Sequence, residues 1–222
     1  MHDIAGQLSG INCCLMLLET ENLTPKAREY LEIAKKQALQ EEILIRDILN
    51  AFSAEVTSLE SFTVDADMAP NVLTSAQEVI QLLSPTFVLN QVQLQLADNI
   101  DKTLDWRVIS DKSRLNRIIA NLAENAFRHS PMDSTVTIGL QEEEDSIVIT
   151  VDDQGSGVPP ESVKHIFEKF SQVGKSGRVG LGLYFCRITV ERWGGQIGYQ
   201  PLPQGGSRFW VRLLKPKPKT EE

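Results

Sequence analysis

The sequence predicts an α+β protein in which a helical hairpin precedes an α/β sandwich domain. In residues 1–54 the apolar side chains are spaced alternately four and three residues apart, which is typical of helices that pack in bundles. From about residue 60, short alternating segments are interleaved with amphipathic stretches and glycine-containing turns. This pattern indicates a largely antiparallel sheet covered by helices on one face. We therefore divide the chain into residues 1–54, residues 60–215 and a disordered tail of residues 216–222.

The composition excludes several classes of function. The chain has 222 residues with 22 basic and 30 acidic side chains, so its net charge is −8. This balance argues against a nucleic-acid or membrane-surface binder, which would carry a basic face. We expect no signal peptide and no apolar run of membrane-spanning length. Three cysteines fit a reducing compartment, and we interpret Cys13, Cys14 and Cys186 as small buried hydrophobic residues.

The hairpin is predicted from one apolar seam in each helix. Residues 1–19 form the first helix, and its seam consists of Ile4, Leu8, Ile11, Leu15 and Leu18. Thr24 and Pro25 are typical of an N-cap and a first helical turn, so the second helix runs from Pro25 to about Phe52. Two helices with one stripe each cannot close a core alone. We therefore predict a homodimer in which two hairpins form a four-helix bundle.

The remaining elements follow from alternation and turn signals. Strands are predicted over residues 61–68, 91–97, 106–110, 134–140, 146–151, 196–200 and 207–214. Helices are predicted over residues 70–83, 111–130 and 161–170, and from about residue 180 to 194. Pro85 is expected to end the helix of residues 70–83.

Residues 111–130 carry two asparagines that need an explanation. The apolar face of this helix contains Leu115, Ile118, Ile119, Leu122 and Ala126. Asn121 and Asn125 lie one turn apart beside that face, with Arg114 and Arg128 on the same edge. Asparagine is a poor helix former. The pair either caps a neighbouring loop or directs amide oxygens at a polyanion with a bound metal.

Two glycine-containing segments also allow two interpretations each. Asp153 follows a predicted strand and precedes Gly155 and Gly157, which suits a backbone that passes close to a ligand but also suits an ordinary turn. Gly180 and Gly182 open a predicted helix, whose free amides would bind an anion. Alone, this segment is equally consistent with a flexible surface loop.

In order and spacing, these segments together resemble the N, G1, F and G2 boxes of sensor histidine kinases. The matching residues are Asn121, Asn125, Asp153, Gly155, Gly157, Phe167, Phe170, Gly180, Leu181, Gly182 and Leu183. Gly206 and Ser207 resemble a final glycine box. The resemblance implies the Bergerat-type ATP-binding fold shared with gyrase, Hsp90 and MutL. The first two helices resemble the family's dimerisation and phosphoacceptor hairpin, whose H-box would begin at His2.

The resemblance implies a Mg²⁺–ATP site. Asn125 would bind Mg²⁺ with support from Asn121, and Asp153 would accept a hydrogen bond from the adenine amine. The other residues assigned to ATP by this resemblance are Arg128, His129, Gly155, Gly157, Lys175, Arg178, Gly180, Leu181, Gly182 and Ser207. Arg128 and His129 would contact phosphate, and Lys175 and Arg178 would reach the γ-phosphate from a lid.

His2 is the phosphoacceptor that the resemblance implies, with Asp3 holding its tautomer and accepting its proton. On a helical wheel His2 falls about 160° from the seam, so we predict that it faces solvent. The partner would be the receiver domain of a response regulator. The chain would be cytoplasmic, on its own or as the cytoplasmic part of a membrane-anchored sensor.

The chain departs from the family pattern in two places. Ala5, Gly6 and Gln7 replace the usual Arg, Thr or Asn, and Pro of the H-box, which puts phosphatase activity in doubt. Arg178 and Val179 stand in the G2 region where Gly and Thr are common. The alternative function is a non-catalytic regulator that binds a partner kinase or receiver. The heptad hairpin argues against a third option, an ATPase of the same fold that is not a kinase.

Overall fold

The structure, a computed structural model, describes residues 2–58, 64–171 and 180–217. Within these ranges, only the backbone is described for residues 2–9, 40, 43–44, 46–47, 50–58 and 66. The helices are α1 (His2–Glu19), α2 (Pro25–Ser58), α3 (Val72–Leu89), α4 (Lys112–His129) and α5 (Gly182–Arg192). The strands are β1 (Val92–Leu96), β2 (Ser134–Glu142), β3 (Ser146–Asp152), β4 (Gln196–Pro201) and β5 (Ser207–Leu214).

Helices α1 and α2 form the predicted hairpin. Thr24 caps α2, because its hydroxyl oxygen accepts a hydrogen bond from the Ala27 amide at 3.2 Å. Asn12 on α1 donates to Glu42 on α2 at 3.2 Å and joins the two helices. Helix α2 continues to Ser58, beyond the predicted end near Phe52, and it also packs against α5. The proposed boundary between residues 54 and 60 falls at this end and in residues 59–63, which lie outside the description, so the division into two domains stays a prediction.

In the part of α1 whose side chains the structure describes, the apolar seam is largely uncovered in the single chain. Ile11 is 49% exposed and Leu18 is 45% exposed, while Leu15 is half-buried. On α2, Leu31 and Ala38 are buried. The exposed part of the seam is therefore available to a second chain.

A five-stranded sheet carries the core of the second half. The strand order is β1-β2-β3-β5-β4, in which β1 and β2 are parallel and the other neighbours are antiparallel. Alternate residues of β2 and β5 are buried on the face that α3, α4 and α5 cover. This arrangement confirms the predicted α+β class and the helix-covered sheet.

Helix α4 is the central helix of this layer. Its five predicted core residues are all 0% exposed, namely Leu115, Ile118, Ile119, Leu122 and Ala126. Asp111 is the N-cap, and its side chain accepts a hydrogen bond from the Arg114 amide at 2.8 Å. The apolar face fixes how α4 is rotated on the sheet, and its polar edge therefore faces α5.

Two predicted strands are wrong. Ala66–Met68 forms a 3₁₀ turn, and the earlier residues 61–63 of the first predicted strand lie outside the description. Residues 106–110 form one isolated bridge, between Arg107 and Asn71. The amides around this bridge bond to separate elements, Val108 to Pro70 at 3.1 Å and Ile109 to Leu214 at 2.8 Å, so no continuous ladder forms.

The prediction that Pro85 ends a helix is also wrong, because α3 continues through it to Leu89. An internal proline costs about 3 kcal/mol. Beyond it, Phe87 is only 1% exposed and its ring lies 4.5 Å from that of Phe127. Burial of a phenylalanine contributes about 1.5–3 kcal/mol, and an aromatic pair contributes about 0.5–1.5 kcal/mol more. These gains offset the cost of the proline.

The predicted helix over residues 161–170 is a series of turns. Successive amides bond three residues back, Ser162 to Pro159, His165 to Ser162 and Glu168 to His165, each at 2.9 Å. Nearby, Ile166 is buried and the Phe167 ring lies 6.3 Å from that of Phe209. Packing of the buried Ile166 and the half-buried Phe167 on the core, rather than α-helical hydrogen bonding, holds the segment.

Two expectations from composition need correction. Among the described residues, α3 is long and apolar enough to span a membrane, by length and composition alone, although it packs against α4 and β1. Cys186 is buried as expected, whereas Cys13 and Cys14 are exposed in the single chain. Residues 218–222 of the predicted disordered tail lie outside the description.

Phe87→Ala is expected to lower the free energy of unfolding by about 3–5 kcal/mol, because it removes a fully buried ring from the contact with α4. Urea unfolding followed by circular dichroism measures the change. Leu89→Ala on the same helix is the control; Leu89 is 84% exposed, so we expect a change within about 0.5 kcal/mol. Equal losses in the two variants would contradict the packing described for α3.

Candidate functional site

The polar edge of α4 faces the beginning of α5. Asn121 is half-buried, and its amide nitrogen lies 3.5 Å from the Gly182 carbonyl oxygen and 3.7 Å from the Cys186 sulfur. Asn125 is also half-buried, one turn further along, and no hydrogen bond from its side chain to a described residue is observed. The structure thus brings the predicted residues Asn121 and Gly182 into contact. The Asn125 amide points to no protein partner in the described part of the chain.

Asp153 is a buried carboxyl group at the end of β3, with only 1% exposure. Its Oδ1 atom accepts hydrogen bonds from the Gly155 amide at 2.8 Å and from the Ser207 amide at 3.1 Å. Burial raises the pKa of Asp153, while these amides, the Ser207 hydroxyl and nearby His129 act to lower it. The predicted residues Asp153, Gly155 and Ser207 therefore form one connected group.

Close backbone approaches join this group to α4 and β5. A Cβ atom at Gly155 would lie 2.3 Å from the carbonyl oxygen of His129, the last residue of α4. A Cβ atom at Gly206 would lie 2.0 Å from the Asp153 carbonyl oxygen. Only glycine allows these approaches without displacing the backbone. The loop after β3 is consequently pressed between the end of α4 and the start of β5.

Arg128 and His129 form the basic last turn of α4. Partial burial of the imidazole and the Arg128 guanidinium lower the pKa of His129, while the Asp153 carboxylate acts in the opposite direction. A lowered pKa favours the neutral imidazole near neutral pH. A polyanion bound at this helix end would favour the charged imidazole instead.

The start of α5 offers backbone amides to a ligand. Leu181 occupies the N-cap position and supplies no side-chain hydrogen bond to the first turn. Backbone amides in the first turn of a helix that no side chain caps, together with the positive end of the helix dipole, favour the binding of anions. Gly180 precedes this turn with φ of 70°, and a Cβ atom there would lie 2.3 Å from the Ser171 carbonyl oxygen. Lys175 and Arg178 belong to residues 172–179, outside the description, so their assignment stays a prediction.

His2 and Asp3 are the first two residues of α1. Their side chains lie outside the description, and the prediction that His2 faces solvent is therefore untested. Among the described residues, no group of His, Cys, Asp and Glu side chains could hold a metal ion. An Asn125 amide oxygen that shares Mg²⁺ with nucleotide phosphates needs no such group, because Mg²⁺ commonly takes one or two protein ligands besides phosphates and water.

Three contacts at this site are missing from the sequence-based prediction. Tyr199 accepts a hydrogen bond from the Val158 amide, Gln154 accepts one from the Thr135 amide, and Cys186 lies against Asn121. The alternation of β4 predicts that Tyr199 faces the core side, but it does not identify the partner of its hydroxyl group.

The sequence of the chain is similar to those of several known proteins. Residues 110–217 match the family described as histidine kinase-, DNA gyrase B-, and HSP90-like ATPase. The chain is 30% identical over 99% of its length to the sensor histidine kinase GacS of Pseudomonas protegens. It is 31% identical over 96% of its length to the alginate biosynthesis sensor protein KinB of Pseudomonas aeruginosa. The chain spans 24% of the length of GacS and 35% of that of KinB.

Solved structures share the fold along nearly the whole chain. Full-length ShkA in complex with AMPPNP matches 96% of this chain and 44% of its own, with a TM-score of 0.75 and 23% identity. The Acinetobacter baumannii histidine kinase AdeS matches 97% of both chains, with a TM-score of 0.63 and 16% identity. These matches include the hairpin as well as the sheet. Residues 110–217 thus match the histidine kinase-, DNA gyrase B-, and HSP90-like ATPase family, and the sequence matches together support a sensor histidine kinase catalytic core.

Proposed function

We propose that this chain binds ATP with Mg²⁺, phosphorylates itself on His2 and passes the phosphoryl group to an aspartate of a response regulator. The observation that carries the proposal is the buried Asp153 carboxyl, held by the Gly155 and Ser207 amides and joined to the end of α4. Burial raises the pKa of this carboxyl at the end of a strand, and a buried acid with a shifted pKa beside a glycine loop is a candidate for a ligand-binding role. The match of residues 110–217 to an ATPase family supports ATP as the nucleotide that binds here.

The residues divide the nucleotide between two ends of the site. Asp153 accepts the adenine amine, while Gly155, Gly157 and Ser207 shape the backbone around the base. At the other end, Asn125 binds Mg²⁺ with Asn121 in support, and the phosphates contact the chain at Lys175, Arg178, Gly180, Leu181 and Gly182. Arg128 and His129, in the last turn of α4 beside the glycine loop, also contact phosphate. Mg²⁺ supplies neutralisation of phosphate charge. Phosphoryl transfer needs charge neutralisation and in-line positioning more than covalent help, and both are within reach of these groups.

The acceptor role of His2 rests on its place in the hairpin. A nucleophilic imidazole needs one neutral nitrogen, and the adjacent Asp3 carboxylate would hold the required tautomer and take up the proton. The exposed seam of α1 supports pairing of two hairpins, which would bring His2 of each chain to the surface of a four-helix bundle. Receiver domains would dock on that surface, in the cytoplasm.

A non-catalytic regulator is the second candidate, and Ala5, Gly6 and Gln7 favour it. These residues follow His2 where the family usually has polar groups and a proline. Such a regulator would keep the dimer, with or without a working nucleotide pocket, and would act by binding a partner kinase or receiver.

Incubation with radiolabelled ATP and Mg²⁺ is expected to label the chain with acid-labile, base-stable phosphate. His2→Gln should abolish the label, whereas His165→Gln, which changes an exposed histidine outside the hairpin, should retain it. ATP binding without any label would support the regulator. Absence of nucleotide binding at millimolar ATP would contradict both the kinase function and the assignment of the nucleotide-binding residues.

ATP binding is expected to take up protons through His129. The free chain holds this pKa below the usual value of about 6.5, and nearby phosphates would raise it. The ATP-bound protein therefore binds more protons than the free protein. The affinity of the protein for ATP should consequently increase as the pH falls from about 7.5 to about 6. Calorimetry in buffers of different ionisation enthalpy measures the uptake.

His129→Asn should remove most of this proton uptake, and His165→Asn should leave it unchanged. Any protonation of the nucleotide itself is common to all three proteins and cancels in the comparison. Equal uptake by the wild type and His129→Asn would exclude His129 from the phosphate contacts.

A further inference from the structure

The loop of residues 154–158 connects β3 to the turns that follow and contains two glycines, Gly155 and Gly157. A free loop of this composition would sample many backbone conformations, and ordering each residue costs about 1–2 kcal/mol. Binding a ligand against such a loop would have to meet that cost. In the structure, however, a side chain holds each end of the loop: Gln154, the first residue of the loop, at one end and Tyr199 on β4 at the other.

Tyr199 holds the far end of the loop. Its hydroxyl oxygen accepts a hydrogen bond from the Val158 amide at 3.1 Å, across 41 residues of sequence. The Tyr199 ring is itself fixed, because its centroid lies 5.4 Å from that of the buried Phe209. Gly157 lies directly beside this contact, since a Cβ atom there would be 3.6 Å from the Tyr199 hydroxyl and 3.7 Å from the Gly206 carbonyl oxygen.

Gln154 holds the near end of the loop. Its Oε1 atom accepts a hydrogen bond from the Thr135 amide at 2.8 Å. Thr135 lies on β2 just before the residues that pair with β3, so this amide has no partner in that ladder. The side chain of Gln154 thus supplies a hydrogen-bond acceptor to the Thr135 amide where the β2–β3 ladder has ended, and it connects the loop to the sheet.

We propose that Tyr199 and Gln154 are positioning residues that preorganise the glycine loop for the nucleotide base. This inference rests on the proposed function, because it assigns a role to the loop only if Asp153 binds a nucleotide. Both anchors contact backbone amides rather than ligand. They act by holding Gly155 and Gly157 in place next to the Asp153 carboxyl.

Tyr199→Phe keeps the ring and its packing on Phe209 but removes the hydroxyl acceptor. We expect the KM for ATP in autophosphorylation and the Kd for ATP to rise about three- to tenfold, the effect of one neutral hydrogen bond. The kcat should stay within about twofold, because the phosphate end of the site is unchanged. The Kd for ADP and AMP should rise by the same factor as that for ATP, since the loop lies at the base end.

Gln154→Ala removes the second anchor at an exposed position that the fold tolerates, and we expect the same pattern. The matched controls are Tyr30→Phe on α2 and Gln81→Ala on α3, both exposed, which should leave the KM and every Kd unchanged. Thermal unfolding of each variant shows whether the fold is retained. Hydrogen exchange of the Val158 amide in the wild type should show protection that Tyr199→Phe removes.

Each outcome decides between the inference and the function on which it rests. Wild-type protein that binds ATP while both loop variants bind it equally well would overturn the positioning role alone. An unprotected Val158 amide in the wild type would overturn it too, even if Tyr199→Phe failed to fold. Wild-type protein that binds no ATP would overturn the proposed function, and the inference with it.

Discussion

The hydrogen bonds that hold the buried Asp153 carboxyl fix the path of the loop after β3 and its contact with the start of β5. Removing a carboxylate from water costs several kcal/mol unless donors replace the lost hydration. Here the donors are the Gly155 and Ser207 amides, and the Ser207 carbonyl in turn accepts the Asp153 amide at 2.9 Å. The adjacent pair Asp152 and Arg208 joins the same two strands through hydrogen bonds of 2.6 and 2.7 Å. Strand register, loop path and carboxyl position are therefore coupled.

Helix α4 contributes the other half of the site through its rotation. Its fully buried apolar face packs on the sheet, and the polar edge beside that face brings Asn121 against α5. The last turn of the same helix meets the glycine loop, where Gly155 allows contact with the His129 carbonyl. One helix thus connects the proposed base end with the proposed phosphate end, which is why a change in its packing would affect both.

The sequence predicts the structure correctly where the determining interactions lie within one element. The α4 core face depends on residues a few positions apart, and it was predicted correctly. Pro85 inside α3 was not, because the burial of Phe87 that offsets it depends on α4. The contact between Tyr199 and Val158 likewise joins distant stretches. The positions of His2 and Asp3 relative to the nucleotide depend on how distant parts of the chain meet, so a local sequence pattern does not predict them.

The central claim is that Asp153 recognises the exocyclic amine of a purine base, and base discrimination tests it most directly. The measurement is the Kd for ADP and for inosine diphosphate, which carries a carbonyl oxygen in place of the amine, in the wild type and in Asp153→Asn. We predict that the wild type prefers ADP by at least about tenfold, since the inosine oxygen would face a carboxylate with no hydrogen bond between them. Asp153→Asn should lose that preference, because its amide group can donate to the inosine oxygen. Equal affinity of the wild type for the two nucleotides, or an unchanged preference in Asp153→Asn, would contradict the account.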